Sequence, residues 1–317
     1  MNSRIKELDF LKCIFIILMI IFHLVYIGDS YPYAKQVVYT FHMSAFLIIS
    51  GYLNNINKET KAVGRSLLWI FIPYVIMEAG YVVMSAVLPV REKVDELSAG
   101  VLLYKALIAP MGPYWYLHTL ILCNASYFLI YKVTDKWKGI IRFIILGIFL
   151  YILSELRLLT FANAIYFLAG VAIRQSGLPI IRVFQPSFLS VVPLVILCCF
   201  PENLNRGTLA GGVAITYLVI SLLLATYTYL PEKVKRLSLY IGSNTLVILL
   251  FSPVFTILSK AYLPLFAFDA TGICFTIVSV IFVICGCFGM TYVLDRLHIS
   301  PYFLGKKRML PPYPPAD

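Results

Sequence analysis

Long apolar runs, each closed by a short polar stretch, divide the chain from one end to the other. The runs are of helix length, unlike the alternating segments of about ten residues that mark membrane strands. They predict ten membrane-spanning helices, at approximately residues 10–28, 37–53, 66–88, 113–131, 139–155, 160–174, 187–201, 209–229, 240–260 and 270–294. The fold class is therefore all-α and polytopic. A single integral-membrane domain is expected over residues 1–305, followed by a short tail, KKRMLPPYPPAD, that is basic, then proline-rich, and reads as disordered. The apolar run after Phe10 is too long for a signal peptide and lacks a small-residue cleavage site, so it reads as the first span.

Ionisable residues inside these runs are few, which makes each a candidate. In KCIFIILMIIFH, Lys12 and His23 bracket ten apolar residues. A separation of eleven positions leaves a net rotation of about 20° and a rise of roughly 16 Å, so both side chains share one face. That face either offers a cation and an imidazole to the two ends of one long ligand, or Lys12 snorkels to the interface while His23 bonds a neighbouring helix. Glu78, near the middle of the third run, is the one acidic residue well inside any span and needs a partner or a water-filled cavity; a histidine would serve. His42 and His118 fall at a depth similar to His23. Asn124, Asn163 and Asn244 suit hydrogen bonds between helices. Tyr114, Trp115 and Tyr116 fit an interfacial aromatic belt or a stacking platform for a sugar ring, and composition does not separate the two.

Composition confirms the class: 61% of the 317 residues are hydrophobic and 13% charged, with a mean hydropathy of +0.88. A soluble domain has roughly 45–50% apolar and 25% charged residues. A net charge of +11 would also suit a nucleic-acid partner. The positions of the cations argue against one. With the N-terminus in the cytoplasm, 18 of the 26 lysines and arginines fall in inside loops and 7 outside, with Lys12 in the first span. That asymmetry predicts both termini on the cytoplasmic side. The seven cysteines lie in apolar segments without metal spacing and read as packing residues, so no metal is expected.

Four motifs resemble those of the membrane acyltransferase family 3, the integral-membrane O-acyltransferases, in its fucose 4-O-acetylase-like branch. They are ELDFLK with the histidine eleven places beyond its lysine, FHMSAFLIISGYL (41–53), GPYWYLHTLI (112–121) and IGSNTLVILLFSP (241–253). The chain departs from the pattern at Lys12, where arginine is commoner, and at Ser44, where this branch often has proline. Asn244-Thr245 shifts the last motif, and Ser252 replaces the histidine that usually closes it. The loop from Asn54 to Arg65 carries one arginine where relatives often have a pair.

The resemblance implies transfer of an acyl group, acetyl first among them, from acyl-CoA to a hydroxyl of a cell-surface carbohydrate or its lipid-linked precursor. It implies acetyl-CoA as co-substrate with no permanently bound cofactor, and membrane lipids and glycan-assembly proteins as further partners. The setting it implies is the inner or plasma membrane of a bacterium. On that reading His23 is the general base, oriented by Glu78 or His42, and a second histidine or Asn124 stabilises the oxyanion. Lys12 and Arg65, with Lys58 and Lys61, face the CoA anion; Trp115, Tyr116, His118 and Asn124 face the acceptor. An acyl-histidine route remains open, and His298, beyond the last span, has no expected role. A transporter or flippase of lipid-linked glycan is the competing class, since buried Lys, His and Glu suit a proton-coupled carrier. Against it, Pro253 interrupts the ninth run without a counterpart and no inverted repeat is visible. A non-catalytic member of a capsule-assembly complex is the third reading.

Overall fold

The computed structural model describes residues 4–87 and 93–311; Arg91 and Glu92 of the loop after the third run, and residues 312–317 of the tail, lie outside the described residues. Among the described residues the secondary structure is entirely helical. In chain order the α-helices are α1 (Lys6–His23), α2 (Val25–Ser30), α3 (Pro32–Leu53), α4 (Thr60–Val87), α5 (Ala99–Leu107), α6 (Trp115–Val133), α7 (Gly139–Glu155), α8 (Phe161–Gln175), α9 (Ile180–Val183), α10 (Val191–Cys198), α11 (Ala214–Tyr229), α12 (Glu232–Ser243), α13 (Thr245–Leu258), α14 (Ile273–Arg296) and α15 (Ser300–Leu304).

Five of these elements are long and apolar enough to cross a membrane by length and composition: Pro32–Leu53, Thr60–Val87, Gly211–Tyr229, Thr245–Phe266 and Ile273–Arg296. In α14 and α7 the helix surface is inverted relative to that of a water-soluble helix. In α14 the buried stripe is Phe275, Ser279, Val283, Cys287 and Thr291, at intervals of four residues, while Ile273, Ile277 and Ile281 point outward. In α7, Leu146 and Leu150 are inside and Ile140, Ile144, Ile148 and Ile152 outside. Branched aliphatics on the outer face, with Ser279 and Thr291 of α14 turned inward, is the arrangement a lipid surround favours.

Several helix ends follow local chemistry. Pro32 opens α3, where a missing N–H costs nothing. Asp269 caps α14, accepting from the Thr271 hydroxyl and, at 2.6 Å, from the Cys274 N–H; these bonds hold its carboxyl below the usual carboxylate range. The run expected at 240–260 is two helices. The Asn244 side-chain amide donates to the Tyr240 carbonyl at 2.8 Å, and its backbone leaves helical geometry, so α12 ends and α13 begins there. The run at 187–201 holds only a 3-10 turn, Phe188–Ser190, and α10. The tail is not free up to Pro311: the N–H groups of Met309 and Leu310 donate to the Asp295 carboxylate, and Met309 is buried.

The chain forms two compact units: Met1–Phe46 with Pro179–Ser300 and Lys307–Asp317, and Leu47–Leu178 with Pro301–Lys306. In the first, α1 packs on α11, α12, α13 and α14. In the second, α4 packs on α5 and α6, and α6, α7 and α8 pack in series. Here α3 and α8 meet through a reciprocal glycine pair. A Cβ at Gly51 would collide with the Phe167 carbonyl, and one at Gly170 with that of Ile48. Gly170→Leu is therefore expected to force these backbones apart, at a cost of about 3 kcal/mol, the upper end of overpacking effects. Gly80→Ala in α4, where nothing lies within 4 Å, should leave the melting temperature unchanged or raise it. Thermal unfolding in detergent reads both.

Candidate functional site

The first unit carries two polar clusters at opposite ends of α1. At the start of the helix Asp9 is buried, 5% exposed. Its carboxylate pairs with the Arg4 guanidinium and, at 2.7 Å, with Lys12 Nζ three residues on. Arg4 also donates to the Leu239 carbonyl of α12 at 3.1 Å. Gly242 makes this approach feasible, because any Cβ there would occupy the space of the Asp9 carbonyl. The Gly242 of the late motif thus seats α12 against α1 at the acidic residue of the first motif. One carboxylate against two cations leaves a net positive charge at this end.

At the other end α1 stops at His23, because Leu24 turns to an extended conformation and its N–H closes back on Ile20 and Ile21. The His23 Nδ1 lies 2.7 Å from the Met19 carbonyl. A carbonyl only accepts, so Nδ1 carries the proton and Nε2 keeps its lone pair. His42 on α3, 3% exposed, is held in the same tautomer by the Val38 carbonyl, 2.7 Å from its Nδ1. Tyr39 stands between the two imidazoles, its ring centroid 6.2 Å from His23 and 5.2 Å from His42. Its hydroxyl donates to the Phe22 carbonyl at 3.3 Å. Lys35 Nζ sits 5.6 Å from the Tyr39 ring. Lys35, Tyr39 and His42 share a face of α3 by their spacing of four and three residues. The structure therefore brings His23 and His42 together with a basic nitrogen on each. At Nδ1 of His23 the partner that sets the tautomer is the Met19 carbonyl, not a side chain.

Glu78, Arg65, Trp115, Tyr116, His118 and Asn124 belong to the second unit. Glu78, fully buried on α4, accepts from the Met111 N–H at 2.6 Å. Glu78→Gln keeps an acceptor for that N–H and should unfold near the wild-type temperature, whereas Glu78→Leu leaves a buried donor unmatched at a cost of about 1–3 kcal/mol. His118 Nε2 donates to the Leu107 carbonyl at 3.0 Å, and its ring lies 6.0 Å from that of Tyr74. Tyr116 shares a hydrogen bond of 2.9 Å with Ser50. Its ring stands nearly perpendicular to that of Trp115. Asn124 accepts from the Asn54 amide. Arg65, Lys58 and Lys61 are exposed around the start of α4. Ser252 is buried in α13.

Asp9, Tyr39 and Gly242 are the participants that sequence reasoning missed. The signals were present: Asp9 precedes Lys12 by three residues, and Tyr39 precedes His42 by three. A model of the family described as an acyltransferase domain, acyltransferase 3, matches residues 5–292. No curated protein and no solved structure matches the chain.

Proposed function

Since the chain belongs to the acyltransferase 3 family, we propose that it is an O-acyltransferase moving an acetyl group from acetyl-CoA to a hydroxyl of a cell-surface carbohydrate or its lipid-linked precursor. The observation that carries this reading is the His23 imidazole, fixed at Nδ1 by a backbone carbonyl and basic at Nε2, one helix length from the Arg4–Asp9–Lys12 cluster. A sugar hydroxyl is a poor nucleophile near neutral pH and needs a base within hydrogen-bond reach. In the proposed step Nε2 takes the hydroxyl proton as the oxygen attacks the thioester carbonyl. The tetrahedral intermediate collapses with loss of the CoA thiolate, which takes that proton back from the imidazolium. In the first unit a phosphate of CoA meets Lys12 on the cytoplasmic side and the thioester reaches toward His23; Arg65, Lys58 and Lys61 are the basic candidates of the second unit. Trp115, Tyr116, His118 and Asn124 receive the acceptor. Ten spans, both termini in the cytoplasm and a bacterial inner or plasma membrane complete the proposal; the 18-to-7 cation asymmetry supports the orientation.

The test supplies radiolabelled acetyl-CoA to membranes expressing the chain and to membranes without it. Label in the glycan or lipid-linked glycan fraction, dependent on the chain, is the expected result. Label in neither fraction, with glycan crossing reconstituted liposomes in the absence of CoA, makes the protein a carrier instead.

A further inference from the structure

At the end of the second unit where α6 stops and α7 starts, two arginines stand without a counter-ion. Arg142, in the first turn of α7, lies with its guanidinium carbon 4.2 Å from the centre of the Tyr131 ring in the last turn of α6. One of its terminal nitrogens donates to the Tyr131 carbonyl. Arg174, in the last turn of α8, lies 5.9 Å from the ring of Tyr52 at the end of α3. Both arginines are partly buried, and among the described residues no carboxylate lies within ion-pair distance of either. Tyr127, one turn before Tyr131, ties the two together. Its ring stands nearly perpendicular to that of Tyr131 at 4.7 Å, and its hydroxyl accepts from the amide of Gln175, the neighbour of Arg174. Apart from Tyr52, these residues lie outside the motifs that carry the family resemblance, and the transfer mechanism uses none of them.

The cluster is incomplete in a specific way. Tyr131 is 3% exposed, and among the described residues neither its hydroxyl nor the buried Nε of Arg142 has a hydrogen-bond partner. The Nε–H can only donate, and the Tyr131 hydroxyl has a proton to give, so the missing partner is an acceptor. Each unmatched buried group costs about 1–3 kcal/mol. Capping of α6 explains one Arg142 nitrogen, the one on the Tyr131 carbonyl. It leaves Nε, the hydroxyl and two uncompensated positive charges. A water would match the two donors and leave the charges. A phosphate supplies acceptor oxygens for both donors and negative charge beside both arginines.

The surroundings decide which phosphate. Leu129 and Val133 of α6 and Ile141, Ile144 and Ile148 of α7 are exposed aliphatics, the surface that helices offer to acyl chains. The turn between the helices exposes Lys132, Lys136 and Lys138 against Asp135, and Trp137 is 55% exposed, as an interfacial anchor would be. A basic pocket between helix ends, with aliphatic flanks, fits an anionic phospholipid.

We propose that this end of the second unit holds the phosphodiester headgroup of one anionic phospholipid. Arg142 and Tyr131 donate to its phosphate, Arg174 adds the second charge, and the acyl chains lie along the outer faces of α6 and α7. The proposal stands apart from the transferase reading and adds a specific lipid site.

Native mass spectrometry of the full chain in detergent reads the retained lipid directly. The probes are dioleoyl phosphatidylglycerol and dioleoyl phosphatidylcholine at equal concentration, with glycerol phosphate and CoA as free competitors. The wild type is expected to retain phosphatidylglycerol about tenfold over phosphatidylcholine, the worth of one charge-assisted contact. Neither free competitor, at the same concentration, should displace it. Arg142→Gln should abolish the preference. Tyr131→Phe deletes a hydroxyl that has no partner inside the chain. That variant should melt at or above the wild-type temperature without lipid, yet lose about threefold in preference. Equal retention of the two lipids by the wild type would mean that a water completes the cluster, and would overturn the proposal. So would a preference unchanged in both variants. Displacement by glycerol phosphate or CoA would overturn it too, making the site one for a soluble phosphate.

Discussion

Membranes carrying His23→Ala are expected to incorporate no acetyl label into glycan, while the variant matches the wild type in abundance and membrane insertion. The expected loss is about 10²–10⁴-fold, the usual contribution of a positioned general base. The direction follows from the tautomer. With Nδ1–H given to the Met19 carbonyl at 2.7 Å, the lone pair sits on Nε2, the only basic atom this side chain has to offer. No neighbouring carboxylate is needed to hold the ring. His23→Gln should fail as fully as alanine, because an amide has the hydrogen-bonding groups without the basicity. The Met19 carbonyl is backbone, so its contribution is tested through geometry. Leu24→Pro removes the N–H that bonds the Ile20 and Ile21 carbonyls at the end of α1 and should lower activity by loosening that turn. If membranes with His23→Ala transfer label at the wild-type rate, the imidazole is a packing group and the proposed chemistry is wrong.

What the sequence made legible, and what it hid, divides along physical lines. Apolar runs of helix length report burial in lipid or protein, so the helical class and helices such as α7, expected at 139–155 and observed at Gly139–Glu155, could be read directly. Breaks made by side chains that compete for backbone were less visible. Asn244 looks like any interhelical polar residue, yet it ends α12. The break at Leu24 has no glycine or proline to announce it, although it stops α1 at the candidate base. That Lys12 and His23 sit on one helix was legible, because the apolar run between them fixes that without knowledge of any other element. Their neighbours were not. Glu78 reads as an intramembrane carboxylate in search of a partner, and only the folded chain shows that Met111, thirty-three residues on, supplies a backbone N–H. Tyr39 between two imidazoles, and Gly242 against Asp9, depend on which helices meet, which single-sequence periodicity does not encode.

Asp9→Ala is expected to destabilise the first unit by about 1–3 kcal/mol, because it leaves the part-buried Lys12 without its anion, while the half-exposed Arg4 can turn to solvent. The same substitution probes what Lys12 is for. Its amine could serve only as Asp9's partner, or it could also meet a phosphate of CoA. The two roles give different results in a double variant. Replacing both charges together, Asp9→Leu with Lys12→Met, removes the pair rather than one half of it, and most of the lost stability should return. If the lysine were only structural, activity would return with the fold. We expect it not to. The Asp9–Lys12 variant should unfold near the wild-type temperature and still show a KM for acetyl-CoA raised about tenfold, the worth of one charge-assisted contact to phosphate. Lys12→Arg should lower that KM below the double variant's, since a guanidinium keeps the charge and adds a bidentate fork. Recovery of both stability and donor KM in the double variant would confine Lys12 to the role of counter-ion and move the phosphate contact to Arg65, Lys58 and Lys61.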